Sequence, residues 1–265
     1  MSAREAVYDL EDWIASAVDT SLRRGGQRTV KPWIFKVRPR VMSISAPLPP
    51  LSAALSPESP QPETAPTRAA AARVGRPGAI ILTRHGEPAL SRKCLITARQ
   101  YGDWWAKYEI GGLLAGQTPP AALVAAAQGA GVIYASTRPR AQETAAAVAA
   151  GREVMSDVLF IEAPLPPPPF PDWFKLSPKW WGVVSRFWWH AFDHHGGQET
   201  RAEAERRAEE AAQKLIARAE AGQDVLVFAH GYFNHMVGGR LKADGWKLVQ
   251  NQGFKYWSQR RYEKR

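Results

Sequence analysis

Between residues 78 and 240, short apolar runs alternate with longer stretches of helical pattern. The strand-like runs span residues 79–83, 132–135, 154–161 and 224–229, and the helical stretches span residues 97–108, 139–150 and 199–221. Short strands that alternate with helices usually form a parallel sheet that is covered by the helices. The pattern therefore predicts a three-layer α/β/α fold with a mostly parallel sheet and helices on both faces.

A stretch rich in proline and tryptophan interrupts this alternation at about residues 164–198. Residues 164–195 hold seven of the 21 prolines and five of the 11 tryptophans. Such a segment predicts an insertion that packs over the domain as a cap. Its tryptophans could close the core under the cap, line a substrate pocket, form a dimer surface or contact a membrane, and the sequence leaves these alternatives open.

The first 75 residues differ in composition from the rest of the chain. They contain nine of the 21 prolines, separated mainly by Ser, Ala and Thr. This composition predicts a flexible extension, and apolar residues at helical spacing from Val7 to Val18 indicate a short amphipathic helix within it. Residues 76–265 then form a single domain.

Several features bear on the location of the protein and on metals. Acidic residues interrupt any signal-like apolar region near the N-terminus, and no run of about 18 apolar residues is long enough to span a membrane. Cys94 is the single cysteine, which excludes an intramolecular disulfide and a cysteine-based zinc site. We therefore expect a cytoplasmic protein.

The net charge of +10 divides unevenly along the chain. It amounts to +3 in residues 1–75, +1 in residues 76–239 and +6 in residues 240–265. A uniformly basic nucleic-acid-binding domain is therefore not indicated. Nucleic-acid binding through the basic C-terminal end alone is the alternative, and it predicts a strongly salt-dependent affinity for DNA.

Three short motifs follow three of the predicted strands. They are Arg84-His85-Gly86, the run from Ser136 to Ala145 that contains Arg138 and Arg140, and His230-Gly231. The carboxyl ends of parallel strands face the same crevice of a sheet, so these side chains should converge there. Arginine matches phosphate oxygens, a neutral imidazole can attack phosphorus, and a glycine after each histidine would let the backbone turn close to the ligand. This chemistry predicts a site for phosphoryl transfer.

Together, the three motifs resemble those of the histidine phosphatase superfamily, which includes phosphoglycerate mutases and acid phosphatases. The resemblance covers roughly residues 76–240. It implies that His85 is the nucleophile, that Arg84, Arg140, His230 and Gly231 contact the phosphate, and that an acid between the second and third motifs protonates the leaving oxygen. Glu162 stands at that place, and Glu87 is the competing candidate.

Other polar residues have simpler interpretations. Arg138 is either a second phosphate contact or, as we favour, a solvent-facing residue at a helix start. His190, His194 and His195 could form a metal site, but a solvated loop is the favoured interpretation. His235 is expected on the surface of a helix, and Cys94 is expected to be a packed or mildly exposed thiol. No role is predicted for Glu199.

The resemblance implies a metal-independent phosphatase that forms a phosphohistidine, so we expect neither a metal nor a cofactor. Its substrate is a small phosphorylated compound or a phosphoprotein, and the protein could act as a dimer. A mutase of the phosphoglycerate type is the second hypothesis, ranked lower because no long insertion separates the first two motifs. The third is a non-catalytic phosphate-binding protein, which is less favoured because every expected pocket residue is present.

Overall fold

The computed structural model describes residues 75–264, so the predicted N-terminal extension and its helix lie outside the described residues. The strands are β1 (Ile80–Arg84), β2 (Val132–Ser136), β3 (Met155–Asp157), β4 (Val225–Ala229), β5 (Lys247–Asn251) and β6 (Gln259–Glu263). The helices are α1 (Ala98–Ile110), α2 (Ala121–Gly129), α3 (Pro139–Ala149), α4 (Pro178–Phe192), α5 (Arg201–Glu220) and α6 (Gly231–Ala243).

The six strands form one sheet in the order β3-β2-β4-β1-β6-β5. The first four strands are parallel, and β6 and β5 join as an antiparallel hairpin. The prediction of a mostly parallel sheet is therefore confirmed. The hairpin was not predicted because β5 is largely exposed and both of its strands are rich in polar and charged side chains, so neither has a strand-like apolar run.

The sheet is covered on both faces, as predicted. Ile80 and Leu82 of β1 pack in one core with residues of α5 and α6, whereas the intervening Ile81 packs in a second core with residues of α2 and α3. Successive side chains of a strand point to opposite faces, so each buried strand contributes to both cores. This arrangement defines the three layers.

The segment at 154–161 is only partly the strand that the sequence predicts. β3 ends at Asp157, whose carboxylate accepts a hydrogen bond from the backbone N–H of Leu159 at 2.9 Å. A single 3₁₀ turn, Val158–Phe160, follows and places the side chain of Phe160 in the core. The chain therefore leaves the sheet earlier than its apolar pattern suggests.

The cap at about 164–198 contains helix α4, which was not predicted. Trp181 of α4 packs with Tyr101, Trp104 and Tyr108 of α1 in a separate aromatic cluster. Trp181 and Trp189 are fully buried, whereas Trp173 is 80% exposed. The cap tryptophans therefore divide between packing and surface positions. Across residues 75–264, no helix is long and apolar enough to cross a membrane.

Candidate active site

The three sequence motifs meet at one edge of the sheet. In the strand order β2-β4-β1, Ser136 ends β2, His230 follows β4, and Arg84 ends β1. A cavity of about 880 Å³ opens at this edge. The six predicted site residues all line it: Arg84, His85, Arg140, Glu162, His230 and Gly231.

His85 is buried, with 2% of its surface exposed. Its Nδ1 lies 2.7 Å from the carbonyl oxygen of Gly86. A carbonyl oxygen can only accept, so Nδ1 carries the proton and Nε2 carries the lone pair. Burial lowers the pKa of His85 well below its ordinary value, and the charges of Arg140 and Arg84 lower it further. The ring is therefore neutral at neutral pH.

His230 lies beside His85, with the ring centroids 5.2 Å apart in an edge-on arrangement. Its Nε2 lies 2.9 Å from the hydroxyl oxygen of Ser136, and its Nδ1 lies 3.3 Å from Nη2 of Arg140. Burial is the main cause that lowers the pKa of His230, followed by the charge of Arg140. Because a guanidinium can only donate, Nδ1 accepts and Nε2–H donates to Ser136.

Arg140 is fully buried, and α1 provides its partners. Nη1 donates to the carbonyl oxygen of Tyr108 at 2.8 Å, Nη2 donates to Oε1 of Glu109 at 2.8 Å, and the guanidinium lies 4.3 Å from the centroid of the Tyr108 ring. The sequence did not reveal Glu109, because nothing near the end of α1 marks it. These contacts fix the guanidinium plane at the floor of the cavity.

Arg84 is oriented by the connection between β5 and β6. Nη1 donates to the carbonyl oxygen of Phe254, and the guanidinium lies 4.6 Å from the centroid of the Tyr256 ring. The Nε atoms of Arg84 and Arg140 are both buried and have no hydrogen-bond partner within residues 75–264. An oxyanion at this place would accept from such donors.

Glu162 faces the first turn of α6, directly after His230. Its Oε1 accepts from the backbone N–H of Phe233 at 2.9 Å and of Ala163 at 3.0 Å, and its Oε2 accepts from the N–H of Tyr232 at 3.3 Å. The competing acid, Glu87, is exposed and does not line the cavity. Of the two candidates, only Glu162 lines the cavity.

Neither motif glycine forms a sharp turn, and packing explains only Gly86. Neither Gly86 nor Gly231 has a positive φ, contrary to the expected turn. A Cβ on Gly86 would lie 2.5 Å from Cζ2 of Trp257, whereas one on Gly231 would lie 3.4 Å from Cδ of Arg84, an ordinary contact. Gly86 is therefore required for space, and Gly231 is not.

Two further candidates lie outside the lining of the cavity. Arg138 stands at the start of α3 and is partly exposed, as the favoured interpretation predicts, and its Nε lies 2.7 Å from Oε2 of Glu109. His190 lies within α4 and not in a loop, and its Nε2 contacts the hydroxyl of Tyr232. Burial, followed by the charge of Arg186, lowers the pKa of His190 to about 3.

The other candidates take no part in the cavity. His194 and His195 contact the carbonyl oxygens of Pro167 and Gln198, His235 is half-buried on α6, and Cys94 is exposed. Glu199 forms an ion pair with Arg207 at 2.7 Å. Within the described part of the chain, no group of three or more His, Cys, Asp or Glu side chains could hold a metal ion.

Residues 116–256, more than half of the chain, match the family model of the histidine phosphatase superfamily, branch 1. The chain therefore belongs to the histidine phosphatase superfamily, as its motifs suggested. The matched range includes Arg140, Glu162 and His230 but begins after Arg84 and His85. The role of His85 thus depends on its geometry in the cavity. The comparison with curated protein sequences gave no match.

Solved structures of similar fold have low sequence identity to this chain. The protein described as mycobacterial hydrolase 1 is 19% identical, with a TM-score of 0.46 over 69% of this chain and 88% of its own. A phosphoserine phosphatase from Entamoeba histolytica is 16% identical, with a TM-score of 0.41 over 63% of this chain and 80% of its own. Similarity at this level says nothing about the substrate.

Proposed function

We propose that this protein is a phosphatase that hydrolyses phosphomonoesters through a phosphohistidine on His85. The observation that carries the proposal is the contact of Nδ1 with the Gly86 carbonyl, which leaves the Nε2 lone pair for attack on phosphorus. Burial and two neighbouring arginines keep this imidazole unprotonated. A neutral, oriented imidazole is the form that a nucleophile requires.

In the first step, Nε2 of His85 forms a bond to phosphorus and the bond from phosphorus to the ester oxygen breaks. Glu162 donates its proton to that oxygen, so the product leaves as an alcohol. The guanidinium groups of Arg84 and Arg140 bind the phosphoryl oxygens and stabilise the charge that spreads over them in the transition state. No metal ion is required for this step.

His230 lies beside His85 at the place proposed for the phosphoryl group. Its Nδ1 accepts from Nη2 of Arg140 and its Nε2–H donates to the hydroxyl of Ser136, so the ring holds the Arg140 guanidinium toward the phosphoryl oxygens. The backbone N–H of Gly231, at the start of α6, adds a further donor.

In the second step, water attacks the phosphohistidine and the bond from phosphorus to Nε2 breaks. Glu162, now a carboxylate, accepts the proton of that water. Inorganic phosphate leaves, and both groups return to their starting states. The position of Glu162 in the cavity, and the exposed position of Glu87 outside it, support this assignment.

The test is phosphate release from para-nitrophenyl phosphate by the purified protein. His85→Ala should reduce turnover to background, and acid-sensitive, base-stable labelling by ³²P-phosphate esters should disappear with it. His194→Asn is the matched control, because this histidine lies outside the cavity and should leave turnover unchanged. Wild-type turnover in His85→Ala would contradict the mechanism.

The same assay separates the other hypotheses. Interconversion of the two phosphoglycerates without net phosphate release would indicate a mutase, and phosphate binding without turnover would indicate a non-catalytic protein. A chelator should leave turnover unchanged, since the guanidinium groups of Arg84 and Arg140 neutralise the phosphoryl charge in the proposed mechanism. Loss of activity on chelation, restored by a divalent metal, would contradict the metal-independent mechanism.

A further inference from the structure

The cavity extends beyond the phosphate floor, which is the place between Arg84, His85 and Arg140 where the phosphoryl group is proposed to bind. The outer part of the cavity is mainly apolar. The apolar lining comes from Tyr101, Trp104, Trp105 and Tyr108 of α1 and from Leu165, Pro178, Gly182 and Val183 of the cap. A hydroxyl-rich leaving group would leave polar groups unpaired against this lining, whereas an apolar body would bury its surface favourably.

The charged side chains of the outer cavity are nearly all positive. Arg92, Lys179 and Arg186 line it beyond the phosphate floor, and Glu162 is the one carboxylate among the lining residues. If Glu162 protonates the leaving oxygen, no other carboxylate of the lining is left to receive a cationic substituent. The wall therefore favours an anionic substituent on the leaving group.

Arg186 is the most deeply buried of these three cations, with 6% of its surface exposed. Its Nη2 donates to the carbonyl oxygen of Ala163 at 3.1 Å, and its guanidinium lies 3.9 Å from the centroid of the Tyr232 ring. No carboxylate of residues 75–264 forms an ion pair with Arg186. The charges of Glu162 and Glu199 interact with it electrostatically but without direct contact. A buried guanidinium of this kind is compensated well by an anion in the cavity.

We infer that the substrate is a small phosphomonoester whose leaving group joins an apolar, ring-sized body to a second negative charge, which Arg186 binds. This inference rests on the proposed phosphatase function and specifies its substrate class. The scissile phosphate binds at Arg84, His85 and Arg140, the apolar body lies between α1 and the cap, and the second anion reaches the α4 side of the cavity. Lys179, about two helical turns before Arg186 on α4, adds charge to the same side.

Three alkyl phosphates test the two parts of this inference. Para-carboxybenzyl phosphate and para-carbamoylbenzyl phosphate have nearly the same shape and leaving oxygen, and they differ in the charge of one substituent. Their ratio of kcat/KM should favour the carboxylate by about 10- to 100-fold, the effect of one charged hydrogen bond. Para-carboxybenzyl phosphate should also exceed 3-phosphoglycerate, which carries a carboxylate but no apolar ring.

Variants of the cavity cations test which side chain binds the second negative charge of the substrate. Arg186→Met should bring the carboxylate-to-carboxamide ratio close to one, and Lys179→Met, at the first turn of α4, should lower it in part. Arg207→Met is the matched control: its guanidinium also binds the backbone near Glu162 but does not line this cavity, so the ratio should persist even if both rates fall. The ratio compares two substrates on one enzyme, so a loss of folded protein cancels from it.

Each result has a definite meaning. A ratio near one in the wild type, with turnover of both benzyl phosphates, would overturn the second-anion site and leave the phosphatase function standing. A ratio that persists in Arg186→Met and Lys179→Met would likewise overturn the assignment. Equal or faster turnover of 3-phosphoglycerate would overturn the apolar part. Turnover of none of the three would contradict the proposed function itself.

Discussion

Arg186 and Arg207 bind the backbone on opposite sides of Glu162. The accepting carbonyl groups are those of Leu159 and Ile161 for Arg207, at 2.9 and 2.8 Å, and that of Ala163 for Arg186, at 3.1 Å. Arg207 is itself held by Glu199 through two contacts of 2.7 Å. The segment that carries Glu162 is therefore fixed before and after this residue by helices α4 and α5.

The same two arginines also pack on the start of α6. The guanidinium of Arg186 lies 3.9 Å from the ring centroid of Tyr232, and that of Arg207 lies 4.0 Å from the ring centroid of Phe233. The backbone N–H groups of Tyr232 and Phe233 are the ones that donate to Glu162. Both the backbone and the carboxyl group of Glu162 are thus positioned by one set of contacts.

The first prediction concerns Glu162 itself. In the proposed mechanism, Glu162→Gln removes proton transfer to the leaving oxygen, so kcat/KM for benzyl phosphate should fall roughly 10²- to 10⁴-fold. The loss should be much smaller for 2,4-dinitrophenyl phosphate, whose leaving oxygen needs no proton. Steady-state kinetics with both substrates measures this. Glu87→Gln is the control, and a larger loss in that variant would favour the competing acid.

The second prediction concerns Arg207 as a positioning residue. Arg207→Met should displace Glu162 and lower kcat/KM for benzyl phosphate about tenfold more than for 2,4-dinitrophenyl phosphate. This difference is smaller than the one expected for Glu162→Gln, because the carboxyl group is displaced and not removed. Arg207→Lys should restore some of the difference. Arg206→Met changes the adjacent, exposed arginine of α5 and should have no such effect. Equal losses for both substrates would indicate a purely structural role.

The third prediction follows from three histidines whose pKa is lowered in the folded protein. Burial lowers the pKa of His85 and His230 well below 6.5, and that of His190 to about 3. Below pH 6.5 the unfolded chain therefore binds more protons at these residues than the folded chain does, so they lower the free energy of unfolding as the pH falls from 6.5 toward 3. Above pH 6.5 their contribution is constant.

Urea unfolding at several pH values measures this dependence. His190→Gln should reduce the slope between pH 6.5 and pH 4, because one of the residues that gains a proton on unfolding is removed. Gln128→Ala changes an exposed side chain that does not titrate; it is the control and should keep the wild-type slope. An unchanged slope in His190→Gln would mean that this imidazole is not held neutral in the folded protein.

The fourth prediction separates the two motif glycines. Gly86→Ala places a Cβ 2.5 Å from the ring of Trp257, so it should lower the free energy of unfolding by about 1–3 kcal/mol and reduce turnover. Gly231→Ala meets only ordinary contacts and should cost less. If the clash with Trp257 is the cause, Gly86→Ala should cost less in a Trp257→Leu background. Additive costs would exclude that cause.

Much of this fold and part of the site could be predicted from residue order alone. The apolar runs that became β1, β2 and β4 are short and lack the polar alternation of a half-exposed strand, which predicts buried parallel strands, and nearly all of their residues are buried in the structure. His85, Arg140 and His230 each follow one of these strands, and the ends of parallel strands meet at one edge. Their convergence is therefore a consequence of local pattern and of the geometry of a sheet.

The remaining contacts depend on the tertiary structure. Arg84 binds the carbonyl of Phe254, 170 residues later, through a hairpin with no apolar pattern, and Glu109 faces Arg140 from another helix. The contacts of Arg186 with the backbone beside Glu162 arise only when the cap folds over the sheet. A carbonyl group accepts a hydrogen bond whatever its side chain, so no residue type marks such a contact in advance. The sequence by itself determined which groups carry the chemistry; packing between distant segments decided how those groups are held.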